Sequence, residues 1–168
     1  MQLMRKDIQT PLGAMIAITD DTRLYCLVFA DQPQIELRIA SLAQRLNAEI
    51  VTQNGAPVLI QLEDELMSYF AGTLVAFTVP CVFTGTFFQR AAWHALQQLR
   101  YGTTIYYQQQ AAAIQKPGAF RAVANANGAN MLAIIVPCHR VVKKSGALCG
   151  YNGGIWRKAW LLQHEQVG

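Results

Sequence analysis

At 168 residues, with 52% hydrophobic and 14% charged residues, the chain has the composition of a soluble globular protein with room for one or two small cored domains. No window is long and apolar enough to cross a bilayer, and Met1-Gln-Leu-Met-Arg-Lys-Asp7 lacks the apolar centre of a secretion signal, so a cytosolic protein with no membrane partner is expected. The net charge of +4 divides unevenly: residues 1–84 hold five Lys+Arg against nine Asp+Glu (−4), while residues 85–168 hold nine Lys+Arg against Glu165 alone (+8). A basic half almost without carboxylates is the footprint expected of a nucleic-acid surface, and a solvated basic face is the plainer alternative.

In chain order, Met4–Gln9, the turn Thr10-Pro-Leu-Gly13, Ala14–Ile18, the turn Thr19-Asp-Asp-Thr22 and Leu24–Phe29 predict a three-stranded antiparallel meander. Apolar residues at Ile35, Leu37, Ile39, Leu42, Ala43 and Leu46 predict a helix over Gln34–Leu46, followed by a short strand near Glu49–Thr52. Pro57 opens a second helix that runs to Phe70 and stops near Gly72. The carboxylates of Glu63-Asp-Glu65 read as a solvated helix face. A shift in composition over Val79–Gly85 places a domain boundary there, giving domains 1–84 and 85–168.

In the second half Thr86 can cap a helix from Phe87 to about Leu99, with Phe88, Ala91, Ala92, Ala95, Leu96 and Leu99 inward and His94 a structural or surface histidine. A helix over Gln108–Ile114, the turn Gln115-Lys-Pro-Gly118 and a helix over Ala119–Asn127 form a helix-turn-helix pattern. The second of these helices holds small residues and one arginine, Arg121. Such a surface lets a backbone approach DNA closely, through the minor groove, while reading few base edges; it equally suits a packing helix with a solvated arginine.

The run Ala133-Ile-Ile-Val-Pro-Cys-His-Arg-Val-Val142 predicts a buried strand that ends at Pro137 and delivers Cys138 beside His139. A buried thiol is inert unless a neighbour holds its anion, and the turn after Pro137 can bring both side chains to one cleft. Taken alone, the pair also reads as an apolar cysteine beside a surface histidine. The four cysteines, at 26, 81, 138 and 149, form no CxxC pair and, with the three histidines, no zinc pattern, so free thiols and no bound metal are expected. Gly150-Tyr-Asn-Gly-Gly154 can fold tightly over a flat ligand, and a last helix over Trp156–Gln166 carries Glu165, the lone late carboxylate that could orient a histidine.

Together these residues resemble the O6-alkylguanine-DNA alkyltransferases. The match spans Gly85 to Glu165 and comprises Phe88-Gln89 with Trp93, Tyr107, Arg121-Ala-Val123, Asn130, Pro137-Cys-His-Arg140, Gly150-Tyr151 with Gly153-Gly154, Arg157-Lys158, and Leu161-Leu162 with Glu165. The resemblance implies an α+β fold, a small antiparallel sheet with helices followed by a mainly helical, winged helix-turn-helix-like domain. It implies a monomer that acts once, without a cofactor, on double-stranded DNA containing O6-alkylguanine and with little sequence preference. By the same resemblance Cys138 takes the alkyl group, His139 removes its proton through a water, Glu165 orients His139, and Tyr107 donates to the departing guanine. Arg121 fills the gap left by the extruded nucleotide, with Tyr107, Ala122, Asn125 and Arg140 also at the DNA, and Asn130, Tyr151, Asn152 and Gly153 about the base. Departures from the family pattern are Phe87, Phe120, Ala124 and Met131, which bear on DNA docking rather than on the reaction. A non-enzymatic lesion-binding relative, a helix-turn-helix regulator and a Cys-His hydrolase are the competing readings; Cys138, the alanine-rich helix and the motif intervals respectively argue against them.

Overall fold

The computed structural model describes residues 1–167, and the chain divides into two compact units, Met1–Thr84 and Gly85 onward. In the first, strands β1 (Gln2–Thr10), β2 (Gly13–Thr19) and β3 (Leu24–Phe29) form the expected meander, and β4 (Glu49–Thr52) adds on the far side of β1. The order is β3-β2-β1-β4, antiparallel except that β4 runs parallel to β1, with Gln2 opposite Glu49. Helix α1 (Ile35–Arg45) supplies the crossover that a parallel pair requires. All six residues of β3 are buried although it is an edge strand. Its outer edge is covered, since Leu24 N donates to Pro80 O at 2.8 Å and Val82 N donates to Leu24 O at 2.8 Å.

Helix α2 (Pro57–Phe70) packs against β1 and β2 through Val58, Leu59, Leu62, Leu66 and Tyr69. One expectation fails on this helix. Glu65 is not part of a solvated face: its carboxylate accepts from Thr78 N at 3.0 Å and Val79 N at 3.1 Å, so it pins the segment leading to Pro80. The orphan amides of that turn needed an anion, and a helix facing them supplied it.

The second unit begins with α3 (Phe87–Gln97), closed by a capping box in which Gln89 N donates to Thr86 Oγ1 at 3.1 Å and Thr86 N to Gln89 Oε1 at 2.9 Å. Its most buried residues are Ala92, Trp93 and Leu96; Trp93, absent from the expected inward set, donates Nε1–H to Ala126 O at 2.8 Å. Helices α4 (Tyr107–Ala113) and α5 (Phe120–Gly128) pack on α3 and on each other as the helix-turn-helix. Buried Gln110 and Asn127 exchange amide hydrogen bonds at 2.9 and 2.8 Å, fixing the angle between α4 and α5 without an unsatisfied polar atom. Strands β5 (Ile105–Tyr106) and β6 (Val141–Val142) make a two-stranded parallel pair, and α6 (Ile155–Val167) closes the chain.

The expected strand before Pro137 does not form. Met131 to Val136 are all buried, yet they coil through turns, with Ile134 at φ 71° and Val136 N donating to Leu132 O at 2.9 Å. The side chain of Asn130 does the work of an adjacent strand: Oδ1 accepts from Leu132 N at 2.8 Å and Nδ2 donates to Val136 O at 2.9 Å. A β-branched residue at positive φ is costly, of the order of 1–3 kcal/mol, and persists where its surroundings fix it.

Candidate active site

Cys138, His139 and Arg140 form a single 3₁₀ turn that starts where Pro137 ends the coil. Cys138 Sγ accepts a hydrogen bond from Asn130 Nδ2 at 3.4 Å, the same nitrogen that holds Val136 O. Burial pushes the Cys138 thiol up, while the Asn130 bond and the Lys158 ammonium pull it back down. Burial raises both Cys26 and Cys81 to about 12, and at Cys26 the charges of Arg38 and Arg5 offset it only in part. At Cys138 burial still prevails, but Asn130 and Lys158 are placed to offset part of it in favour of the anion.

His139 is fully buried, and its Nε2 lies 2.7 Å from Glu165 Oε1. Burial alone would raise the Glu165 carboxyl, but bonds from His139 and Arg140 outweigh it and hold the group at about 2. An ionised carboxylate only accepts, so Nε2 carries the ring proton and Nδ1 is left as the acceptor. That Nδ1 is buried with no hydrogen-bond partner among the described residues. Burial also lowers the His139 pKa, so the ring is neutral at physiological pH and able to take a proton.

Glu165 is itself gripped by Arg140, whose Nε donates to Oε2 at 2.8 Å and Nη2 to Oε1 at 3.0 Å, while Nη1 donates to Leu99 O at 3.0 Å. Arg140 is 7% exposed, and its guanidinium is engaged on three sides. The expectation that it lies at a DNA surface is corrected: its partner is a carboxylate 25 residues on, which fixes the orientation of the histidine.

Tyr107, at the first turn of α4, donates to Cys149 O at 3.4 Å, and burial raises its pKa to about 12, so it stays a proton-bearing donor. Cys149 O also accepts from Lys158 Nζ at 3.0 Å; the same ammonium donates to Val141 O at 2.6 Å and lies 5.9 Å from the Tyr107 ring centroid. Fully buried Lys158 thereby ties the strand after the Cys138–Arg140 turn to the start of the glycine loop. In that loop Gly153 O accepts from Arg157 Nη1 at 3.0 Å, Asn152 Nδ2 donates to Gly128 O at the end of α5, and the Tyr151 hydroxyl is buried with no partner among the described residues.

Residues 87–167 match the family model for the DNA-binding domain of 6-O-methylguanine DNA methyltransferase. The methylated-DNA–protein-cysteine methyltransferase of Salmonella typhimurium is 39% identical over 170 residues, spanning 98% of this chain and 96% of the relative. The chain belongs to the methylated-DNA–protein-cysteine methyltransferase family. Among solved structures of the family, the O6-methylguanine methyltransferase of Mycobacterium tuberculosis superposes with a TM-score of 0.84 at 38% identity, covering 98% of this chain and 93% of that one. A second Mycobacterium tuberculosis structure, in complex with DNA, gives a TM-score of 0.83 at 36% identity over 99% of this chain and 94% of that one.

Within this methyltransferase chain the adjacent residues Cys138 and His139 each hold one partner, Asn130 on the sulfur and Glu165 on the ring. Arg121, Ala122 and Asn125 stand apart from these residues, exposed on α5 with Ala124 and Gly128. Of the nine cations in this unit, Arg140, Arg157 and Lys158 are buried, leaving Arg90, Arg100, Lys116, Arg121, Lys143 and Lys144 exposed. Lys158 received no role from sequence. Its signal was its place on the buried stripe of α6, three residues before Leu161 and seven before Glu165, where a lysine has to find partners. Among the described residues no group of three or more His, Cys, Asp or Glu side chains could hold a metal ion, and no helix is long and apolar enough to cross a membrane.

Proposed function

We propose that this chain repairs O6-alkylguanine in DNA by moving the alkyl group onto Cys138, once per molecule. The observation that carries the reading is the chain of contacts from Asn130 to the Cys138 sulfur and, one residue on, from His139 to Glu165 and Arg140. It supplies a sulfur whose anion is supported and a neutral ring with one acceptor nitrogen, the two things a thiol nucleophile needs. The name of the Salmonella typhimurium relative and the DNA complex of a Mycobacterium tuberculosis relative support the same activity and the same partner.

These contacts support the following steps. His139 Nδ1 takes the thiol proton, directly or through a water, and the sulfur attacks the alkyl carbon. The carbon–O6 bond breaks with its electron pair left on guanine, and Tyr107 donates a hydrogen bond or proton to that departing anion. The product is a thioether, which water does not cleave, so the protein is consumed. O6 of a stacked guanine is out of reach of a half-buried thiol, so the nucleotide rotates out of the duplex and Arg121 occupies the gap. Asn130, Tyr151, Asn152 and Gly153 surround the base, while Ala122 and Asn125 let α5 sit close to the minor groove with little sequence preference. The exposed cations meet phosphates, and the protein works as a cytoplasmic monomer.

The test mixes the protein with a duplex carrying O6-methylguanine and follows intact and peptide mass. The expected result is a gain of one CH₂ on Cys138, stoichiometric with protein and absent from Cys138→Ala. Repeated turnover would make the protein a hydrolase, and tight binding without modification would make it a lesion-binding protein.

A further inference from the structure

Phe120 opens α5 and stays 38% exposed, although it is among the largest apolar side chains of its unit. The rest of the exposed face of this helix is low: Ala122, Ala124, Asn125 and Gly128 follow Arg121. The guanidinium of Arg121 stands over the Phe120 ring, 5.9 Å from its centroid, and the turn before the helix exposes Lys116, Pro117 and Gly118. One aromatic ring therefore rises from a flat surface with a cation on each side in sequence. A hydrophobic protein partner would meet charge at the rim and little apolar area beyond one ring. Stacked bases between phosphate rows match better, because they offer a π-face to the ring and anions to Lys116 and Arg121.

We propose that Phe120 is a second wedge at the DNA surface, seating against the base that borders the extruded nucleotide while Arg121 fills the vacated position. This rests on the repair reading above and adds a residue to it. Extruding a nucleotide exposes the faces of its neighbours, and an apolar ring placed on one of them recovers part of the lost stacking. The cation–π contact has its own use: it holds the Arg121 side chain upright over α5 before DNA arrives, so less side-chain freedom is lost on docking.

The experiment compares wild type, Phe120→Ala and Phe120→Trp on two substrates, O6-methylguanine within a duplex and O6-benzylguanine as a free base, by single-turnover alkylation of Cys138. For Phe120→Ala the ratio of duplex rate to free-base rate is expected to fall about tenfold, within the range that aromatic–base stacking supports. Phe120→Trp, which keeps a ring, is expected to restore the ratio. A 2-aminopurine beside the lesion adds a direct readout: its fluorescence on binding, a measure of unstacking, should change in the alanine variant. An unchanged ratio in Phe120→Ala overturns the wedge, and equal loss on both substrates overturns it in favour of a packing role at the α4–α5 turn. If wild type alkylates Cys138 with neither substrate, the repair reading itself fails, a result distinct from the first two.

Discussion

Replacing Glu165 by Gln is the sharpest probe of the site, because one carboxylate serves both the histidine and the arginine. Its pKa lies at about 2 against an ordinary 4.5. At about 1.4 kcal/mol for each tenfold change, that displacement corresponds to about 3 kcal/mol of folding stability at neutral pH. The Glu165 side chain is 1% exposed and that of Arg140 8%, so solvent screening removes little of it. A second route agrees: removing one charge of a buried ion pair costs about 3–5 kcal/mol, since Arg140 would keep its charge with no carboxylate of this unit to meet it. The sign of the pH dependence follows. A depressed carboxyl contributes stability that is present above its ordinary pKa and lost as pH falls from about 4.5 towards 2. His139 is also depressed, so its contribution fades earlier, as pH falls below 6.5. Wild type should thus lose stability in two stages on acidification, and Glu165→Gln should lack the second. All three tryptophans, at 93, 156 and 160, lie beyond residue 84, so denaturant melts followed by tryptophan fluorescence read this unit. Gln can donate as well as accept, which leaves the His139 tautomer unfixed, and alkyl transfer at neutral pH should slow ~10²-fold or more. An unchanged transfer rate, or a variant that keeps the wild-type acid slope between pH 4.5 and 2, would refute the reasoning.

Lys158→Met removes the ammonium that joins Val141 O to Cys149 O and lowers the Cys138 thiol. Transfer should then require higher pH, and the rate–pH profile is the check; a purely structural lysine would lower stability and leave the profile in place. Gly85→Ala should destabilise the same unit by about 1–3 kcal/mol. A methyl there would sit 2.5 Å from Cη2 of Trp93 and force the buried indole off Ala126 O, which thermal melting and tryptophan emission would both register.

Much of this protein follows from local signals. Pro57 at the first turn of α2, the Thr86 cap and the turn residues between β1, β2 and β3 act within a few residues, and each lies where the sequence reading put it. The Cys-His-Arg turn after Pro137 was legible for the same reason. Apolar content also told correctly that Ala133–Val136 are buried. It could not tell their shape, because burial of a short apolar run is equally met by a strand or a coil, and here the side chain of Asn130 takes the bonds a neighbouring strand would have made. The parallel placement of β4 likewise depends on which edge of the sheet the chain returns to.

Charge divides the two kinds of knowledge most clearly. Composition alone determined that the second half is basic and that Glu165 is its single carboxylate. Only the tertiary structure decided that Arg140 and Lys158 face inward, onto Glu165 and onto the carbonyls of Val141 and Cys149. A cation can leave water only when acceptors meet it in space, and those acceptors come from chain segments that the linear order keeps apart.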